Sequence, residues 1–358
     1  MGVLNLRGKP RWVVAGSSAL LASSVLMLSS LVATAPASAD SSSQAAMPNR
    51  IFAPYFETWD TSAGSLASQS EASGAKFLSL AFLQTPASTP CVADWNGDPT
   101  QPISHATFGA DIAAIQARGG NVIPSYGGYA ADSTGTEIAD SCTDVGAIAR
   151  SFESLISTYR VSRIDLDVEA NSLTNTAGID RRNKAVAMAE AWAAAHHQQI
   201  QFSYTIPSTA QGLTAAGLAV LQDAIANGAR IATVNAMTFD YWYGTPQNML
   251  VDTETAGAGL FSQLQTLYPG VEARQLWHMV GVTEMQGIDD YGPDETFSTW
   301  EALPLLQWAE QKGIGFLSFW AVQRDNGSCV GTKGAGACSG VPQSQWFFSH
   351  AFEPFTGN

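Results

Sequence analysis

Three carboxylates stand at every second position of the segment Arg163-Ile-Asp-Leu-Asp-Val-Glu169, namely Asp165, Asp167 and Glu169. A β-strand turns alternate side chains to opposite faces, so the three acids share one face and Ile164, Leu166 and Val168 take the other. Like charges at that spacing cannot all ionise freely, and at least one proton is shared or held with a raised pKa. Cleavage of a glycosidic bond needs such a proton on a general acid. Glu169, at the C-terminal end, is placed to reach a leaving-group oxygen; Asp165 lies deepest and Asp167 between them. No second strand of comparable quality supplies the nucleophile of an ordinary two-carboxylate mechanism, so something other than an enzyme carboxylate must attack.

Such a strand has to sit where its polar face is enclosed and its apolar face covered. An unpaired charge in that setting costs several kcal/mol, so a structural purpose alone is a poor reason to keep three. Eight β-branched or aromatic runs, at 51–56, 77–83, 121–126, 163–169, 200–206, 231–240, 275–282 and 315–320, are separated by helical patterns at 108–118, 145–159, 180–196, 215–227, 260–267 and 301–312. Gly119-Gly120, Gly228 and Gly313 follow three of these helices as stop signals. Eight alternating strand–helix units over roughly 300 residues predict an α/β chain folded as a (β/α)8 TIM barrel. The site then belongs at the C-terminal ends of the strands and in the loops that follow. No second domain is visible.

The first 39 residues carry Arg7, Lys9 and Arg11, then an apolar stretch rich in Ser and Ala, and end in Ala37-Ser38-Ala39. This is a secretory signal layout. The expected organisation is a signal peptide at 1–39, a short linker at 40–49 and the catalytic barrel at 50–358, secreted to the extracellular space as a monomer. Cleavage would remove three of the 17 basic residues and none of the 31 acidic ones. So acidic a chain, with no Lys/Arg run, would be repelled by phosphate backbones, and no nucleic acid is expected as a partner. No later segment reaches the about 18 unbroken apolar residues of a membrane span, so no membrane is expected after signal cleavage. Cys91, Cys142, Cys329 and Cys338 are an even set beside an export signal, which favours disulfides over a metal site. Three pairings are open; the short Cys329–Cys338 separation favours a local staple, leaving Cys91 with Cys142. The five histidines have no metal-ligand spacing, and neither metal nor cofactor is expected.

Ser162-Arg-Ile-Asp-Leu-Asp-Val-Glu169 resembles the DGxDxDxE signature of family 18 glycoside hydrolases, the chitinases and their relatives. The last three carboxylates align, and Ser162 and Arg163 replace the usual first Asp and Gly. The family's SxGG motif reappears as Ser125-Tyr126-Gly127-Gly128, and 234–242 resembles its MxYD strand. Residues 316–320 resemble the eighth strand, which ends in a sugar-stacking tryptophan. The likeness runs from about residue 50 to 355. It implies a substrate-assisted, retaining mechanism on chitin or N-acetylglucosamine oligosaccharides, in which the acetamido carbonyl of the −1 sugar is the nucleophile. Glu169 is then acid and base, Asp167 holds the acetamido group, and Asp165 shares a proton with Asp167. The resemblance also implies a −1 site lined by Tyr55, Gly127, Gly128, Met237, Asp240 and Trp320. Phe239 stands where the family has a tyrosine that orients the acetamido group. It has no hydroxyl to give, and Tyr241 or Tyr204 is the substitute. Trp59, Trp95 and Trp242 are further candidates for stacking, and Glu284 is either a subsite acid or a solvated loop residue. A chitin-binding lectin-like barrel without turnover and an endo-β-N-acetylglucosaminidase are the competing readings.

Overall fold

The computed structural model describes residues 47–357 apart from 61 and 63. The expected signal peptide and most of the linker lie outside the described residues. The first strand comes in two pieces, β1 (Ile51–Phe52) and β2 (Tyr55–Glu57), interrupted at Ala53-Pro54. Proline has no N–H for the ladder. Its carbonyl instead accepts the Ser79 N–H at 3.0 Å.

After α1 (Leu66–Ser73) come β3 (Phe77–Gln84), α2 (Gly109–Ala117), β4 (Asn121–Gly127), the short α3 (Tyr129–Thr134) and α4 (Val145–Tyr159). The second half runs β5 (Arg163–Asp167), α5 (Thr176–Ala195), β6 (Gln201–Thr209), α6 (Ala215–Ala226) and β7 (Ile231–Met237). It ends with α7 (Met249–Leu267), α8 (Ala273–Met279), β8 (Val280–Glu284), α9 (Ala302–Lys312) and β9 (Phe316–Phe319). Neighbouring strands pair in parallel from β2 through β9, and β9 pairs in parallel with β1. Because β1 and β2 are one stretch of chain, the sheet closes on itself. This is the expected (β/α)8 barrel.

Alternation decides what fills it. The lower layer is largely apolar inside, where Ile51, Phe77, Ile123 and Phe316 form one buried cluster, and Arg163 is the buried charge at that level. Above it the inward residues turn polar, with Ser125, Asp165, Ser203, Thr205, Asn235 and Thr283 all buried. The outward set packs on the helices. On α4, Ile148, Phe152, Leu155, Ile156 and Tyr159 are buried at helical spacing, and Phe152 meets Tyr126 and Phe202 edge-on at ring separations of 5.0 and 5.5 Å. An aromatic buried like Phe152 contributes about 1.5–3 kcal/mol over leaving it exposed.

β5 ends at Asp167 rather than 169, α5 starts at Thr176 rather than 180 and β6 runs on to Thr209, and three further elements also depart from the expected boundaries. Residues 275–279 are helical rather than strand, because Ala-Arg-Gln-Leu-Trp-His-Met is built largely of helix formers and ladder pairing starts only at Val280. α7 begins at Met249, where the Asn248 side chain accepts the Val251 N–H at 3.1 Å, well before residue 260. Its Thr- and Gly-rich first half has weak helix propensity, which burial of Met249, Thr253, Ala256 and Gly257 overrides. The strand expected at 231–240 stops at Met237, and Asp240 takes a left-handed φ of 53°. Disulfides join Cys91 to Cys142 and Cys329 to Cys338. Among the described residues no helix is long and apolar enough to cross a membrane.

Candidate active site

All three acids of the ladder are buried, Asp165 and Asp167 at 3% exposure and Glu169 at 9%. The strand ends at Asp167, so Glu169 stands on the loop above it, at the mouth of the barrel. Their surroundings differ. Asp165 accepts hydroxyl hydrogen bonds from Tyr55 (2.9 Å) and Ser125 (2.8 Å) on one oxygen and from Ser203 (2.7 Å) on the other. The Thr205 hydroxyl lies 3.0 and 3.1 Å from the two oxygens. Burial raises the Asp165 pKa, and these hydroxyls oppose the rise. Arg163, on the same strand face one step below, is held by Gln201 through Nε (3.2 Å) and Nη2 (2.6 Å). Burial lowers its pKa to about 10, and Asp165 works against that.

Asp167 has no such cradle. Its Oδ1 is buried with no hydrogen-bond partner. Burial, then Glu169, Asp165 and Asp132, push its pKa well above the ordinary carboxylate range. With the Asp165 oxygens taken by hydroxyl donors, a proton held by this pair is favoured on Asp167. Glu169 is raised to about 7, chiefly by burial; the Tyr129 N–H opposes the shift and Asp240 adds to it. Asp240 is itself raised to about 6 by burial and by Asp290, while its own N–H donates to Asp289 at 3.0 Å.

An aromatic floor lies beside the acids. Trp320 stacks on Phe82 at 5.6 Å and 10°, and its ring is 5.5 Å from Tyr55 and 6.1 Å from Trp59. Trp59 is 49% exposed, so this cluster reaches solvent and offers flat apolar surface of the kind a sugar face covers. Tyr55, by contrast, is buried beneath it and is spent on Asp165 and Thr205. The two motif glycines serve the protein's own packing. A Cβ on Gly127 (φ 101°) would stand 2.1 Å from the Asp167 carbonyl oxygen, and one on Gly128 (φ 84°) would stand 2.5 Å from the Phe82 ring. Met237 ends β7 on its inward face, and Phe239 is half-buried against the core.

Four sequence expectations need correction. Tyr204 faces away from the ladder, because Ser203 and Thr205 take the inward positions; its hydroxyl donates to Asn183 at 2.8 Å, so it cannot replace the missing phenol. Tyr241 does not share the face of Phe239 by strand alternation, since Asp240 and Trp242 have left-handed φ values of 53° and 60°. Its ring is buried against Tyr243, with the hydroxyl lacking a hydrogen-bond partner and lying near Ser208, Glu284 and Asp252. Glu284 is neither subsite acid nor solvated. It points out of the barrel to Thr238 and Thr253, fully buried. Trp95 is a core residue, 0% exposed, donating to the Tyr159 hydroxyl at 3.2 Å.

Sequence reading missed Ser203, Thr205, Phe82 and Asp132. The first two carried a signal, polar residues at alternate positions in a run otherwise read as apolar. Asp132 carried none: it lies in α3, and its carboxylate accepts the Glu169 N–H from 37 residues away.

No family model matches the chain. Among curated proteins it is similar to a probable bifunctional chitinase/lysozyme of Escherichia coli (strain K12), 28% identical over 322 residues, covering 87% of this chain and 35% of that protein. It is also similar to endochitinase 11 of Metarhizium anisopliae, 28% identical over 289 residues, covering 78% of this chain and 53% of that one. The chain therefore spans between a third and about half the length of the curated relatives it matches. Among solved structures it resembles catalytic-site mutants of active domain 2 of a thermostable chitinase from Pyrococcus furiosus complexed with chito-oligosaccharides. That likeness has a TM-score of 0.77 at 27% identity, over 87% of this chain and 95% of that one.

Proposed function

We propose, on the premise that the chain belongs to glycoside hydrolase family 18, that it is a secreted chitinase hydrolysing β-1,4-linked N-acetylglucosamine polymers with retention of configuration. The observation that carries the reading is the division between the two aspartates. Asp165 has spent its oxygens on hydroxyls, whereas Asp167 keeps a buried acceptor free beside Glu169. An acetamido N–H is a donor of the right kind for that oxygen.

In the first step the Glu169 proton passes to the glycosidic oxygen as the C1–O bond breaks. The acetamido carbonyl oxygen of the −1 sugar attacks C1 from the opposite face, forming an oxazolinium ion. Asp167 holds the acetamido N–H and faces the cation that develops. That cation offsets the like-charge crowding which favours a proton on Asp167 at rest. In the second step the Glu169 carboxylate takes a proton from water, whose oxygen attacks C1 and reopens the ring, restoring the protonated acid. Two inversions retain the β configuration. Trp320 and Phe82 supply the floor for the −1 ring, and the signal layout with two disulfides supports export to an oxidising compartment.

Hydrolysis of a chromogenic N-acetylchitooligosaccharide by the purified protein tests this. Glu169→Gln keeps the shape and removes the acid, so kcat falls by about a hundredfold to ten-thousandfold with oligosaccharide binding retained. Binding without hydrolysis by the unmodified chain would replace the enzyme with a lectin-like barrel.

A further inference from the structure

We infer that Asp132 is a positioning residue of the site, a carboxyl that clamps the main chain of Glu169. The inference rests on the glycosidase reading for what Glu169 does, and on the following geometry for itself. The Gly127-Gly128 turn starts α3, and the Gly128 carbonyl accepts the Asp132 N–H at 3.0 Å, which seats the side chain directly behind the ladder. Asp132 is 0% exposed. Its Oδ2 accepts the Glu169 N–H at 2.5 Å. That contact comes where Glu169 leaves the strand in an extended conformation (φ −128°, ψ −176°) and the next residue, Ala170, turns left-handed at φ 38°. No ladder bond holds the Glu169 amide there, so the carboxyl does.

The other oxygen, Oδ1, is buried without a partner, and it borders the same small space as the Asp167 carbonyl. A Cβ on Gly127 would meet the two at 3.2 and 2.1 Å. The charged groups facing Asp132 are Glu137, Asp167 and Glu169 against one cation, Arg182, which is already paired with Glu137 at 2.8 Å. Burial first, then Glu137, raise Asp132 to about 9, so the clamp works uncharged at neutral pH. An uncharged clamp fixes the acid without adding another negative charge to a site that must keep its proton.

The test compares Asp132→Asn, which keeps an oxygen acceptor and no charge, with Asp132→Ala, which removes the acceptor. With the full chain, amide hydrogen exchange at Glu169 should be at least about tenfold faster in D132A and within about threefold of wild type in D132N. This readout does not depend on turnover, so it stands even if the chain hydrolyses nothing, an outcome that would sink the glycosidase reading alone. In hydrolysis, kcat should fall at least about tenfold in D132A with KM within about threefold, and D132N should restore it. The alkaline limb of kcat should move by less than about half a pH unit in D132N, because no charge is removed. Equal exchange in all three proteins, a D132N as impaired as D132A, or a limb shifted by more than about one unit would overturn the inference. Should D132A not fold, D132N exchange and pH profile decide it.

Discussion

Replacing Asp165 by alanine separates its role as a hydrogen-bond hub from that of the residues above it. Four hydroxyls converge on this carboxylate. Two have somewhere else to go: Tyr55 and Thr205 lie 2.9 Å from each other, and Asn235 donates to Thr205 at 3.0 Å. Ser125 and Ser203 have no other hydrogen bond from their hydroxyls, and both are buried. A buried hydroxyl left unsatisfied costs about 1–3 kcal/mol, so the two together put the loss at about 2–6 kcal/mol. Removing a buried charge offsets part of this, while Arg163 loses its nearest carboxylate and adds to it. Asp165→Asn keeps one acceptor oxygen, and the serine hydroxyls can rotate to accept from the new amide, so it should cost less. Urea unfolding at pH 6, extrapolated to water, measures both against wild type. A loss below about 0.5 kcal/mol in D165A, or an equal loss in D165N, would refute the hub.

Stability should fall as pH rises from 5 to 8. Glu57, Glu169 and Asp289 are raised to about 7 and Asp132 to about 9. Between the unfolded value near 4 and those pKa values the folded chain binds more protons, so each group takes away about 1.4 kcal/mol per pH unit in its window. A thermal midpoint that climbs from pH 5 to pH 8 in a dye-monitored melt would contradict this. Tyr241→Phe removes a buried hydroxyl that has no hydrogen-bond partner and lies near Glu284, on the outside of the barrel, so the melting midpoint should hold and kcat should stay within about twofold. A kcat lowered about tenfold or more would mean that this phenol orients the acetamido group after all.

The ladder and the barrel were both legible from residue order, because both rest on local periodicity. Alternation put Asp165, Asp167 and Glu169 on one face, and the strand–helix rhythm counted eight units. The same rule, applied to residues 201–209, would have turned Tyr204 outward and Ser203 and Thr205 inward. It failed at Tyr241 because Asp240 and Trp242 break the strand geometry, and the cause is tertiary: Glu295 accepts the Tyr241 N–H at 2.7 Å from 54 residues away. Likewise, nothing near Glu169 in the chain announces Asp132, and nothing near Asp165 announces Tyr55, 110 residues distant. Sequence by itself therefore determined which acids face inward, since that depends on the pleat of one strand. Which acid is saturated with hydroxyls, which keeps a free oxygen and which is clamped were decided only by closure of the barrel, because hydrogen bonding and desolvation depend on neighbours that the fold alone brings within 3 Å.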